Sequence, residues 1–508
     1  MFPGDPIQAR RPAPPRTANR PGAALQEIRG QRWRQTGRTS IPSERHLRLR
    51  RAPLSGQCVI TREIAVAEGV FAPGHLGELT QIVPFEMVDA VLAECGATQR
   101  RVRKLPARVA VYLLLAGALF EECGYPAVWA RLTAALGSLP LPHITATGLW
   151  HARARLGVRP LRALFDLLAG PAAAIRTTGA RWAGLLVVAI DGTCLDVPDD
   201  PATRARLGKG SNQHTAASGY PQILLVALVA CGTRAVIDAV FGPRSRGETA
   251  YGQRLARSLR PGMIVLLDRG FASNAFLETV AGTGAALLAR LTASRKPPVL
   301  RRFPDGSFLS RLGTLEVRII ECQITIATAA GRHTGIYRLA TTLLDPGRYP
   351  AFDLVKLYHE RWEVESAYFA IKKTMLGRRV LRARTMSGIA QEIYALLIVY
   401  QVIRIAISDA TAAIPGADPD RASFSVAFQA ARDQVIQATG VIAGTVIDLA
   451  GTIGRAVLTH PMPPRRIRVS PRAVKRPLSR YAYKSLRIDR RTYKATISID
   501  ILTAPPDP

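Results

Sequence analysis

Two short apolar runs in this 508-residue chain each end in an aspartate. Residues Leu185 to Ile190, within GLLVVAIDGT, have the length and Val/Ile content of a buried strand, and Gly192 is expected to mark the turn that ends it. GMIVLLDRGF repeats the pattern, with Asp268 followed by a basic residue and a glycine. A sheet built from such strands delivers Asp191 and Asp268 at its rim. Taken singly, a strand-terminal aspartate is more often a turn or helix-capping residue.

A third acid changes that reading. In DLVKLYHERWEVESAYFAIKKTML, Tyr358, Arg361, Glu365 and Lys372 are offset by three, seven and fourteen residues from the tyrosine. At about 100° per residue they share a wedge of roughly 60° on one helix face. An acid, two cations and a phenol there suit metal binding beside a phosphate backbone, because a carboxylate holds a divalent cation while Arg and Lys clamp the polyanion. The bland alternative is a solvated helix face. With both aspartates upstream, the three acids look like a carboxylate cluster for two metal ions.

The chain at this point resembles the DDE transposases of bacterial insertion sequences, and among them the insertion sequence four family. That family carries Tyr, two residues, Arg, three residues, Glu, six residues, Lys, and Tyr358, Arg361, Glu365 and Lys372 keep this spacing. Asp191-Gly192-Thr193 and Asp268 with Gly270-Phe271 match its other marks, and the resemblance covers roughly residues 60 to 450. It implies that Asp191, Asp268 and Glu365 are catalytic and ligate two Mg2+ ions, with Mn2+ as a substitute. It also implies that Tyr358, Arg361 and Lys372 contact transposon-end DNA near the cut. The chemistry stands apart from the name: in-line phosphodiester cleavage needs an activated attacking oxygen and a stabilised leaving oxygen, and two divalent cations about 3.5–4 Å apart serve both. One departure is plain. Related enzymes that cut through a hairpin stack a Trp of the region before the glutamate helix on an extruded base, and none of Trp33, Trp129, Trp150, Trp182 and Trp362 lies there. Phe303, Phe308 and Tyr337 are the rings available for stacking or for strand packing, and the hairpin step stays open.

Composition points the same way. A net charge of +32 marks a chain that binds polyanions. DNA, as transposon ends and target, is the expected partner, with a homodimer in the DNA complex. No uninterrupted apolar stretch of about 18 residues argues for a membrane, so the expected location is cytoplasmic and nucleoid-associated. The six cysteines form no CxxC pair and read as reduced core residues. Among weaker candidates, Glu248 opens a helix and reads as a capping or dipole residue, with an accessory acidic role as the alternative. His214 and His359 read as solvated, and KGSNQ lacks the ending of a phosphate loop.

The expected fold is α/β: a ribonuclease H-like catalytic core with a β-strand insertion, plus a helical N-terminal domain. Residues 1–55 hold a dozen arginines, no lysine and no apolar period. They are either a disordered segment or upstream sequence included by a misplaced start. Residues 56–178 are a helical DNA-binding domain, in which Arg153 and Arg155 on a helix capped by Thr145 or Thr147 are either DNA-reading or ordinary solvated arginines. Residues 179–291 form the first part of the core, as three strands, helix, strand, helix, strand. Residues 292–345 are the insertion, 346–460 the second part with the catalytic helix, and 461–508 a basic tail with interleaved tyrosines that grips DNA. The expected reaction is metal-dependent cleavage at the element's ends, followed by joining of the 3′ ends to target DNA. The alternative is a transposase-derived DNA-binding protein that no longer cuts.

Overall fold

The computed structural model describes residues 75–99, 101, 103–134, 142–173, 177, 179–209, 219–329, 331–414, 417–437, 451–462, 468–469 and 493–502. The arginine-rich segment 1–55, His214, most of KGSNQ, and Tyr481 and Tyr483 of the tail lie outside these residues.

Pro and Gly punctuation separates five helices: α1 (Phe85–Glu94), α2 (Ala107–Leu119), α3 (Tyr125–Leu132), α4 (Ala146–Leu156) and α5 (Arg159–Leu168). Thr145 is the N-cap of α4, its hydroxyl accepting from the Gly148 amide at 3.1 Å. All-round apolarity makes α2 a buried helix, and from Val109 to Leu119 every residue is buried. Each Leu or Val so placed contributes about 1.5–3 kcal/mol.

Beyond the bundle, β1 (Arg181–Trp182) pairs with β2 (Leu185–Asp196). The second strand is longer than its apolar run implied, so Asp191 stands inside it and no turn occurs at Gly192. After α6 (Pro201–Leu207) come β3 (Gln222–Ala230) and β4 (Val236–Pro243), which complete an antiparallel meander with β2. The helix α7 (Glu248–Leu255) leads to β5 (Met263–Leu267), parallel to β2 on its other side. In turn α8 (Asn274–Gly282) leads to β6 (Ala286–Arg290), parallel to β5. Spatial order β4-β3-β2-β5-β6, with the last two strands parallel to β2, is the ribonuclease H-like arrangement. Its central strands are buried from Leu186 to Ile190 and from Met263 to Leu267, as strands covered on both faces must be.

The added strands do not stand apart. β7 (Arg301–Arg302), β8 (Phe308–Leu312), β9 (Leu315–Thr328) and β10 (Gly331–Thr341) join the same sheet, because β10 pairs antiparallel with β6. Phe308 is buried in the core and Tyr337 packs under the Arg290 guanidinium at 3.8 Å, so both serve packing. Fully buried Arg318 of β9 ties the insertion to the helix beyond it. It donates to Ser307 Oγ at 2.7 Å, the Tyr349 carbonyl at 2.7 Å and Asp305 Oδ2 at 2.5 Å. Asp305 Oδ2 also accepts at 3.0 Å from Ala351, the first residue of α9 (Ala351–Tyr358).

The continuous signature helix expected from the spacing is three segments instead. After α9 come a 3-10 turn at His359–Arg361, then α10 (Trp362–Phe369), then a π-helical stretch at Ala370–Met375. The tight and wide turns depart from a uniform turn of about 100° per residue, yet Tyr358, Arg361 and Lys372 still reach Leu267, Asp191 and Thr193 around the two strand-borne aspartates. The 27-residue α11 (Met386–Ala412) is long and apolar enough to cross a bilayer, yet 83% of its most apolar window is buried against α2, α5 and later helices. Two of these are α12 (Phe424–Gln437) and α13 (Thr452–Thr459).

In the tail, β11 (Arg468–Val469) pairs with β12 (Tyr493–Ile501), and β12 lies antiparallel along β9, from Ala495 opposite Thr328 to Ile501 opposite Cys322. The basic tail is therefore not wholly a solvated arm. Alternation in KATISIDI half-buries Ala495, Ile497, Ile499 and Ile501 while Lys494, Thr496, Ser498 and Asp500 stay exposed.

Candidate active site

The parallel pair β2–β5 sets the first two acids side by side. Its last paired rung is Ala189 with Leu266, and Asp191 and Asp268 each stand two residues beyond it. Asp191 Oδ1 accepts from the Gly192 amide at 2.8 Å; Asp268 caps a 3-10 turn, its Oδ1 accepting from the Gly270 amide at 2.7 Å. The third acid arrives on α10. Arg361 lies between carboxylates, with Nη1 3.5 Å from Asp191 Oδ2 and Nη2 3.7 Å from Glu365 Oε1. Among the described residues no three His, Cys, Asp or Glu side chains stand at metal-coordinating spacing.

The signature residues face inward more than the spacing implied. Tyr358 is buried, which raises its pKa, and its hydroxyl donates to the Leu267 carbonyl at 3.1 Å. It thereby ties the end of α9 to the residue before Asp268. Arg361 is only 9% exposed, so its charge serves the acids rather than solvent. Lys372, in the π-helical stretch, donates to Thr193 Oγ1 at 3.1 Å, two residues from Asp191, and stays partly exposed.

Two residues do more here than the sequence pattern signals. The Tyr368 hydroxyl donates to the Asp191 carbonyl at 2.6 Å and accepts at 3.0 Å from the amide of Ala227, the cross-strand partner of Asp191. Its place seven residues after Arg361 is the available signal. Glu248, at the start of α7, reaches the same region: partial withdrawal from water, then the Asp191 and Asp268 carboxylates, hold its carboxyl above the usual range. Farther out, a buried pair of Arg234 Nε and Glu363 Oε2 at 2.5 Å locks α10 to the β3–β4 turn.

In the bundle the two arginines of α4 part company. Arg153 stacks on the Tyr125 ring at 3.6 Å, while its carbonyl accepts from Gln391 at 2.8 Å, so it serves packing. Exposed Arg155 instead lines a concavity of about 360 Å³ with Arg101 and Arg103, where partial burial and the Arg103 charge lower its pKa. Arg101 and Arg103 are not among the expected DNA contacts, although the basic run RRVRK at residues 100–104 is the signal available for them. They sit in a short loop without periodicity.

Similarity to known proteins follows the same division. Residues 73–166 match the family described as "Insertion element 4 transposase N-terminal" and residues 182–402 the family "Transposase DDE domain". The "Transposase InsG for insertion sequence element IS4" of Escherichia coli (strain K12) is 25% identical over 402 residues, which cover 77% of this chain and 90% of that protein. The "Putative transposase InsZ" of the same organism is 27% identical over 199 residues, 39% of this chain and 65% of that one. The piggyBac transposase in its synaptic complex with hairpin DNA aligns over 79% of this chain and 85% of its own at 11% identity and a TM-score of 0.37. With both family models matched in order, and the ribonuclease H-like sheet carrying the acids, the chain belongs to the insertion sequence four family of DDE transposases, enzymes that cleave DNA and transfer its strands.

Proposed function

We propose that this transposase works by cut-and-paste: it binds the ends of its insertion sequence, hydrolyses a phosphodiester at each, and joins the freed 3′ ends to target DNA. The observation that supports this most directly is Arg361, which brings a strand carboxylate, Asp191, and a helix carboxylate, Glu365, to two sides of one positive charge. Asp191, Asp268 and Glu365 are the catalytic acids of this reading. Their oxygen donors fit a hard divalent cation, and the repulsion felt by Glu248 from Asp191 and Asp268 marks a place where positive charge is favoured. We assign two Mg2+ ions, replaceable by Mn2+; bound there, they would activate the attacking oxygen and stabilise the leaving one.

The remaining residues position and neutralise. Arg361 offsets Asp191 and Glu365, and Tyr368 fixes the backbone that carries Asp191. Partly exposed Lys372 presents an ammonium beside Thr193, suited to a DNA phosphate. Arg101, Arg103 and Arg155 receive backbone phosphate at a distance from the acids, which gives the helical domain its share in holding the end. Since an element has two ends, the DNA complex is assigned two copies of the chain. A net charge of +32 keeps the protein on the nucleoid.

The test is a metal-supported nicking assay on end DNA beside a gel-shift titration. Asp191→Ala, Asp268→Ala and Glu365→Ala are each expected to abolish cleavage with binding retained. Wild-type cleavage by any one of them removes that residue from the centre.

A further inference from the structure

Gly192 follows Asp191 in mid-strand and has no left-handed φ, so neither a turn nor backbone strain calls for glycine there. Space does. A β-carbon built at this position would lie 2.6 Å from Glu248 Oε1 and 2.9 Å from Glu248 Cδ and Cγ. The volume a side chain would take is thus filled by a carboxylate from α7. Glu248 is the first residue of that helix, behind Gly247 at φ +76°, and no side chain caps the helix start. Among the described residues it makes no ion pair within salt-bridge distance, and Arg244 contributes only the weakest of the charges acting on it. It therefore faces Asp191 and Asp268 without a cation of its own.

Resting on the reading of Asp191, Asp268 and Glu365 as the metal-holding acids, we infer that Glu248 is a fourth carboxylate of the centre, offering an oxygen to a divalent cation, and that residue 192 is glycine to admit it. Three observations converge on this: the missing side chain at Gly192, the carboxylate seated in its place, and the neighbouring acids at the ends of the parallel strands. A helix-dipole role for Glu248 accounts for its position in the first turn but not for its seat over Gly192. The two roles differ in what they do to metal affinity. A dipole partner stabilises the fold with or without metal, whereas a ligand carboxylate costs repulsion in metal-free protein and is repaid when the cation binds.

Calorimetric titration of Mn2+ into the full-length protein, with melting curves in metal-free buffer, separates them. Glu248→Gln is expected to weaken Mn2+ binding about tenfold or more while leaving the metal-free melting temperature unchanged or raised. Gly192→Ala, which keeps the carboxylate but displaces it, is expected to weaken Mn2+ binding as well, and it serves if Glu248→Gln fails to fold. Mn2+ affinity within twofold of wild type in either folded variant overturns the inference, as does a lowered metal-free melting temperature with unchanged affinity. Asp191→Asn is titrated in parallel. If it too binds Mn2+ like wild type, the reading of the centre itself fails; if it loses Mn2+ while Glu248→Gln does not, only the role of Glu248 does.

Discussion

The Tyr368 hydroxyl donates to the backbone carbonyl of Asp191 at 2.6 Å, from the last turn of the helix that carries Glu365 and that Arg361 immediately precedes. Because the same oxygen accepts from Ala227, the cross-strand partner of Asp191, one phenol couples helix position to strand position at the catalytic aspartate. Tyr368→Phe keeps the ring and removes the bridge, leaving the Ala227 amide unmet. We expect a stability loss of about 1–3 kcal/mol and a marked fall in cleavage rate, with affinity for end DNA unchanged. Denaturant unfolding and single-turnover nicking measure the two; an unaltered cleavage rate would mean that the bridge does not set the geometry of Asp191.

Arg361 and Lys372 share a motif, but the structure separates their roles. Lys372 is partly exposed, so Lys372→Ala is expected to flatten the slope of log K against log salt for DNA binding by about one unit. Buried Arg361, already engaged by Asp191 and Glu365, should leave that slope unchanged when replaced by Gln. Its loss leaves two acids without their counter-charge, so the variant should melt lower without metal and gain more than wild type from added Mn2+. A reduced salt slope in Arg361→Gln would return the residue to the DNA surface.

How much of this is legible in the sequence differs residue by residue. The apolar runs before Asp191 and Asp268 define the two central strands because strands covered on both faces admit little else. Spacing pairs Arg361 with Glu365 correctly, since i and i+4 remain neighbours even after a 3-10 turn. It gives the face that carries Tyr358 but not whether that face meets solvent or sheet, and the tyrosine packs inward onto the Leu267 carbonyl. Gly192 reads as a turn residue, as glycine after a strand usually does; only the position of Glu248 shows that space is the reason. Arg234 and Glu363 form a buried pair whose partners are distant in the chain, and no local pattern can reveal it.

Arg318 offers a test of how the insertion supports the catalytic helix. Its guanidinium is wholly buried and satisfies Asp305, Ser307 and the Tyr349 carbonyl at the entrance to α9. Arg318→Met retains most of the volume but takes the cation from half-buried Asp305, which keeps its donors Ser307 and Ala351, and leaves the Tyr349 carbonyl without that donor, so a loss of about 1–3 kcal/mol is expected. Urea unfolding checks this. A loss under about 1 kcal/mol would show that water replaces the guanidinium at low cost.

Stability should also depend on pH through His75. The ring is fully buried, and withdrawal from water lowers its pKa from 6.5 to about 4 against the opposing contact of Nε2 with the Leu132 carbonyl at 2.8 Å. Between these values the unfolded chain binds a proton that the folded chain does not. The contribution is therefore complete above pH 6.5 and is lost progressively as pH falls toward 4, by roughly 3 kcal/mol in all. Unfolding free energies of His75→Leu should show a flatter pH dependence over that window than wild type; parallel curves would place the proton uptake on other groups.

The two strands of the tail turn its basic composition into a structural question. Along one edge of β9, β8 covers Leu315 to Ile319 and β12 covers Cys322 to Thr328, so removing β12 uncovers a row of backbone groups beside the half-buried Ile497, Ile499 and Ile501 positions. A truncation after residue 492 should lower the melting temperature and promote concentration-dependent association, since an uncovered edge is a template for further strands. A solvated DNA-gripping arm would behave differently: removing the basic stretch as well, by truncation after residue 461, would weaken affinity for all duplexes alike and leave the melting curve in place. Melting curves and light scattering at several concentrations, beside titrations on specific and random duplexes, distinguish the two. Unchanged melting with uniformly weaker binding would show that β12 adds nothing to the sheet's stability and that the tail acts through its charge alone.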